Sequence, residues 1–185
     1  MKCQLNKYEA HTTSGNLKLN ALLEASGIDT PIIHAYYHFL NTDGQRIQQT
    51  LIQYFDNPDQ YPKITPIILY NEESNQIITI MASQENAPPE PGEYGSILSY
   101  VRAHGYNDNI LCSDCYGQLS CSSCAVEVLA GEVENPEPRE EEYDMLDIDE
   151  AKPPTKLTRL SCQACIGTTP LVIKVRAACK ILSKA

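Results

Sequence analysis

Tryptophan is absent from this chain and phenylalanine occurs only twice. Large aromatic hydrocarbons therefore cannot dominate its interior, and Tyr, present eleven times, must fill it together with the aliphatic residues. Cations are also scarce: 14 Lys and Arg stand against 24 Asp and Glu, giving a formal net charge of −10. A phosphate backbone repels such a surface, which argues against nucleic-acid binding. A basic protein surface is the natural complement. No apolar run approaches the roughly 20 residues that a membrane-spanning helix needs, so no membrane association is expected. Met1–Asn20 has neither an apolar h-region nor any Arg, so neither a secretory leader nor a mitochondrial transit peptide is expected. GxGxxG, P-loop, flavin and Ser/His/Asp signatures are missing too. The chain is expected to be no enzyme.

What the chain has in quantity is cysteine, eight in all. Without a leader, a secreted disulfide scaffold is not the expectation; a reducing cytoplasm with metal-bound thiolates is. Four of them, Cys115, Cys121, Cys124 and Cys162, follow C-x5-C-x2-C, then 37 residues, then C. Three thiolates from one loop and a fourth from far along the chain can enclose a centre that the loop alone cannot close. Soft sulfur ligands favour iron–sulfur clusters, Zn or Cu(I), and a [2Fe-2S] cluster takes four protein ligands, two per iron. The small residues Ser113, Gly117, Ser120, Ser122 and Ser123 let backbone N–H groups approach the sulfurs. The alternative is a zinc-binding structural or interaction module. It would draw on three C-x2-C pairs: Cys112 with Cys115, Cys121 with Cys124, and Cys162 with Cys165.

The surrounding chain divides near Pro62. Before it, Leu17–Ala25 has a helical pattern stopped by Gly27. Thr30 and Pro31 suit the start of a second helix, Ile32–Leu40. Asn41–Gly44 suits a turn. Ile47, Leu51, Tyr54 and Phe55 mark one face of a third helix, ended by Pro58 and Pro62. Residues 1–62 are thus expected to be a short helical extension with its linker. His34 and His38 stand four apart in it, without a third ligand nearby.

Residues 63–185 are expected to be a mixed α+β domain. Ile64–Tyr70 and Gln76–Ala82 have strand character and suit a hairpin. The Pro-rich stretch Glu85–Gly92 suits a loop. Ser96–His104 suits a helix closed by Gly105. Ala125–Leu129 suits a strand, Glu140–Asp147 a short acidic helix, and Leu171–Val175 a last strand. Eleven of the 24 residues from Glu127 to Glu150 are acidic.

Three stretches resemble the adrenodoxin-type [2Fe-2S] ferredoxins, a group that includes bacterial iron–sulfur-assembly and cytochrome P450-serving members. They are Cys115-Tyr-Gly-Gln-Leu-Ser-Cys121-Ser-Ser-Cys124, Glu141-Glu-Tyr-Asp-Met-Leu-Asp147 and Arg159-Leu-Ser-Cys162-Gln163. Plant-type ferredoxins have four residues, not five, between the first two ligands. The resemblance spans roughly residues 63–178. It implies a β-grasp fold and a [2Fe-2S] cluster held by Cys115, Cys121, Cys124 and Cys162; Cys112 and Cys165 are expected to be non-ligands beside it, free thiols that behave as small buried hydrophobes. It further implies a one-electron carrier served by a flavin-dependent NAD(P)H ferredoxin reductase. The electrons pass to iron–sulfur-assembly proteins or to an oxygenase such as a cytochrome P450. The acidic helix is implied to dock on these partners through Glu141, Glu142, Asp144 and Asp147. Two positions depart from the pattern: Ser113 stands where Gly is common, and Ala125 where His often follows the third ligand.

Overall fold

A computed structural model of the chain describes residues 14–27, 42–60, 63–71, 76–106, 110–148 and 153–176. The chain divides into two compact units, residues 1–62 and 63–185.

In the first unit, α1 spans Ser14–Ala25 and α2 spans Thr42–Asp56. They pack together, burying Leu19 and Leu23 of α1 with Leu51 and Tyr54 of α2. Lys18 Nζ donates to the Phe55 carbonyl at 3.0 Å. Gly27, at φ +68°, gives the left-handed residue that ends α1. Of the turn expected at Asn41–Gly44, the described residues Thr42–Gly44 instead begin α2, because Thr and Asp are as well suited to a helix start as to a turn. The helix expected at Ile32–Leu40, with His34 and His38, lies outside the described residues.

The second unit is α+β, as expected, and its five strands form one mixed sheet. They are β1 (Ile64–Asn71), β2 (Gln76–Ser83), β3 (Ala125–Ala130), β4 (Thr158–Leu160) and β5 (Leu171–Val175). Their order is β2-β1-β5-β3-β4. β1 pairs antiparallel with β2 and parallel with β5, and β3 joins β5 and β4 antiparallel. This is the β-grasp arrangement. β1, paired on both edges, is buried along nearly its whole length. Pro66, which has no N–H to donate, stands one residue before pairing with β5 begins at Ile67.

Helix α3 (Ile97–Ala103) lies over the sheet. It is capped by the Ser96 hydroxyl, which accepts from Ser99 N. Its Ile97, Leu98, Tyr100 and Val101 join Ile67, Leu69, Ile80, Leu160 and Ile173 in the core. Tyr100 gives that core its ring and also satisfies its hydroxyl, which donates to Ser83 O at 2.7 Å. Burial, with smaller contributions from Tyr94 and Cys165, pushes its pKa up to about 12. β4 was not foreseen: three residues after a Pro-Pro pair are too few to show an alternation. The expected acidic helix is α4 (Glu140–Leu146), anchored by buried Leu146. Among the described residues, no helix is long and apolar enough to cross a membrane.

Candidate metal centre

The first two N–H groups of α3 have no partner within their own helix. They are used on the chain that carries Cys162: Ile97 N donates to Ala164 O and Leu98 N to Ser161 O, both at 2.9 Å. Glu93 N donates to Cys162 O at 2.8 Å, and Ser161 N to Cys124 O at 3.1 Å. The helix start and the end of β4 therefore fix the fourth cysteine beside the third.

The other cysteines lie on the loop between residues 111 and 125. Tyr116 and Leu119 stand at φ 53° and 52°, with Gly117 at 79° between them. Left-handed non-glycine residues cost of order 1–3 kcal/mol each. Here they turn backbone N–H groups inward, so that Ser120 and Gln118 hydrogen-bond the Cys115 sulfur. Serine hydroxyls hold the loop: Ser113 Oγ accepts from Gly117 N at 3.1 Å, and Ser123 Oγ accepts from Asp114 N at 2.9 Å. Ser113, one of the departures from the family pattern, thus brings an acceptor of its own.

Two glycines allow the loop to close. A Cβ on Gly92, at φ +90°, would lie 2.5 Å from Cys162 O. A Cβ on Gly117 would lie 2.7 Å from Gly92 Cα. Gly92, Gly117 and Cys162 are consequently stacked backbone on backbone, and Gly92 had no signal in the sequence beyond its place in a Pro-rich loop.

All four expected cysteines are free thiols, and they come together as two pairs. Cys115 hydrogen-bonds with Cys121, and Cys124 with Cys162. Burial pushes the Cys115 thiol up, but the Ser120 N–H, the Cys121 thiol, the Ser120 hydroxyl and the Gln118 N–H outweigh it and bring the pKa down to about 7. Within the buried pair, the shared hydrogen bond drives Cys162 down and Cys124 up, and burial adds to the rise at Cys124. The fully buried Ser161 hydroxyl has no hydrogen-bond partner, and it offsets part of the rise at Cys124. Gln163 Nε2 approaches Cys162 Sγ at 3.5 Å. Two thiol pairs, one thiolate accessible near neutral pH and donors aimed at sulfur fit a four-thiolate, two-iron group. Among the described residues, no three His, Cys, Asp or Glu side chains are grouped to hold a metal ion.

The other two described cysteines part company. Cys165 is a free, half-buried thiol raised by burial, with Glu134 and Glu93 adding to the rise. Cys112 is disulfide-bonded, its partner lying outside the described residues. That corrects the expectation of a free buried thiol and breaks the first of the three C-x2-C pairs a zinc site would use.

Of the expected docking residues, Glu141, Asp144 and Asp147 are exposed. Glu142 is not: it is 1% exposed. Its carboxylate accepts from Arg159 Nε and Nη2, both at 2.9 Å, and from Leu160 N at 2.7 Å. A carboxylate so enclosed is a structural group linking α4 to β4, and its assignment as a docking residue is corrected. Arg139, at the N-cap of α4, was also missed. Its Nη2 donates to Glu93 Oε1 at 2.6 Å and to Gln163 Oε1 at 2.8 Å.

Residues 91–167, which hold all four of these cysteines, match the family described as 2Fe-2S iron–sulfur cluster binding domain. The segment is a [2Fe-2S] cluster-binding domain, in agreement with the resemblance to [2Fe-2S] ferredoxins. No curated protein matches the chain. Among solved structures, a ferredoxin from Rhodopseudomonas palustris HaA2 is similar at 20% identity and a TM-score of 0.43, covering 60% of this chain and 95% of that one. The ISC-like [2Fe-2S] ferredoxin FdxB from Pseudomonas putida JCM 20004 is similar at 24% identity and a TM-score of 0.44, covering 60% and 92%. A covalent putidaredoxin reductase–putidaredoxin complex matches at 23% identity and a TM-score of 0.42, covering 60% and 97%.

Proposed function

We propose that this protein is a one-electron carrier in which Cys115, Cys121, Cys124 and Cys162 ligate the [2Fe-2S] cluster. The observation that carries the reading is the meeting of two thiol pairs, Cys115 with Cys121 and Cys124 with Cys162, inside the cluster-binding segment. When bound, the cluster supplies reversible one-electron chemistry. The residues of the chain bind it, shield it and aim donors at its ligand sulfurs. Cys124 and Cys162 are fully buried, whereas Cys115 and Cys121 are half-buried on a loop whose Tyr116 is exposed, so the loop side is the side of electron entry and exit.

The donor in this reading is a flavin-dependent NAD(P)H reductase, and the acceptor an iron–sulfur-assembly protein or an oxygenase such as a cytochrome P450. Glu141, Asp144 and Asp147 form the docking face, because their exposed charge on α4 complements a basic patch. Four metal-bound thiolates suit a reducing compartment such as the cytoplasm, and the Cys112 disulfide is the feature that points the other way. Residues 1–62 form a helical extension to the ferredoxin domain of residues 63–185.

Anaerobic purification followed by visible absorption and EPR after dithionite reduction tests the ligand set. Cys115→Ser and Cys162→Ser should each abolish the wild-type spectrum, while Cys165→Ser should leave it intact. A colourless protein loaded with zinc, or a wild-type spectrum in Cys162→Ser, would sink the assignment.

A further inference from the structure

The Arg139–Gln163 contact bears on an ambiguity inherent in any amide. A Gln side chain can present either its NH2 or its oxygen to a neighbour, and the partners decide which. Gln163 is buried, 3% exposed, with one end of its amide at Cys162 O (3.2 Å) and Cys162 Sγ (3.5 Å) and the other at Arg139 Nη2 (2.8 Å). A guanidinium only donates and a carbonyl only accepts, so Arg139 and the Cys162 carbonyl orient the amide together. The amide end facing Arg139 is therefore oxygen, and the end facing the sulfur is NH2. Arg139 is itself held by Glu93 at 2.6 Å, and Glu93 N is bonded to Cys162 O at 2.8 Å. The four residues close a ring around the fourth cysteine. In an acidic stretch from Glu132 to Asp147, Arg139 is the one basic residue.

We propose that Arg139 is a positioning residue that locks the Gln163 amide with its donor toward Cys162, and thereby raises the reduction potential of the centre. The inference rests on the reading of Cys162 as a ligand. A donor facing a ligand sulfur stabilises the extra negative charge of the reduced state, whereas an amide oxygen would oppose it. Arg139 touches neither the sulfur nor any other ligand, so its effect runs through Gln163.

The test is redox titration of the holoprotein, followed by its visible and EPR spectra. Arg139→Met should keep the cluster content and shift the oxidised–reduced equilibrium about tenfold toward oxidised, ~59 mV more negative for one electron. Arg139→Lys, which still donates, should recover most of the shift. Loss of an exposed positive charge also lowers a potential, but that contribution is screened by salt. The amide contribution should persist in Arg139→Met at 0.5 M salt and should vanish when Arg139→Met is made in a Gln163→Leu background. No shift in Arg139→Met, a shift erased by salt, or an equal shift in the Gln163→Leu background each overturns the proposal while leaving the ligand set standing. A wild-type spectrum in Cys162→Ser overturns both.

Discussion

The loop that carries Cys115, Cys121 and Cys124 is held by its own backbone and its own serines, whereas the segment that carries Cys162 is held by side chains from distant elements. On the loop, left-handed residues at Tyr116, Gly117 and Leu119 and the hydroxyls of Ser113 and Ser123 supply the geometry. Around Cys162 the fixing groups are Glu142 on α4, Arg139 at its N-cap, Asn135 and the start of α3. The comparison shows one site built in two ways. The first half depends on what glycine and serine permit locally. The second depends on desolvated charge and on helix ends brought over by the fold.

The largest effect should fall on the second half. Glu142→Ala leaves the Arg159 guanidinium buried without its carboxylate and strips the Leu160 N–H of its acceptor. Removing one partner of a buried pair costs about 3–5 kcal/mol. Thermal unfolding of the protein should register that loss, whereas Glu141→Gln, one residue away and exposed, should stay within about 0.5 kcal/mol of wild type. If both variants are equally mild, Glu142 is surface after all and the contrast between the two halves collapses.

Next in size is the glycine stack. Gly117→Ala forces a Cβ into the Gly92 backbone at a positive φ, so one chain or the other must move. Because this strain is confined to the loop, the expected result is a lost or labile cluster with a fold that persists. Visible absorbance should fall much more than the far-UV circular dichroism signal. Parallel loss of both signals would mean that the loop is not the local, self-held unit described above.

These two halves were not equally legible in the sequence. The loop was legible because its chemistry lies in consecutive residues: the spacing of Cys115, Cys121 and Cys124 and the small residues among them. The helix α3 and strands β1, β2, β3 and β5 were legible from apolar pattern and breakers, with ends within a residue or so. What escaped depends on distance. Glu142 sits in an acidic run in which Glu140, Glu141, Asp144 and Asp147 are exposed, and nothing local distinguishes a carboxylate that will meet Arg159, 17 residues on. Arg139 did leave a trace, as a lone cation among carboxylates, but its partners Glu93 and Gln163 lie 46 and 24 residues away. Gly92 owes its necessity to the Cys162 carbonyl, which only the fold brings near. The state of Cys112 could not be read either, since cysteine spacing does not determine pairing.

The smallest structural effect, and the sharpest functional one, belongs to the exposed side of α4. Glu141 and Asp144 are exposed, so Glu141→Gln with Asp144→Asn should change unfolding by no more than about 0.5 kcal/mol and leave the visible spectrum untouched. Their charge acts only on an approaching partner. Steering between oppositely charged surfaces raises encounter rates and weakens with salt, so reductase-driven electron transfer at low salt should fall in the double variant. The wild-type rate should itself decline as ionic strength rises through a few tenths molar, where the Debye length drops below about 8 Å, and should approach the rate of the variant. Wild-type transfer indifferent to both salt and the double substitution would remove the docking role from α4. The helix would then be what Glu142 alone already makes it, a clamp on β4 and the cysteine that follows.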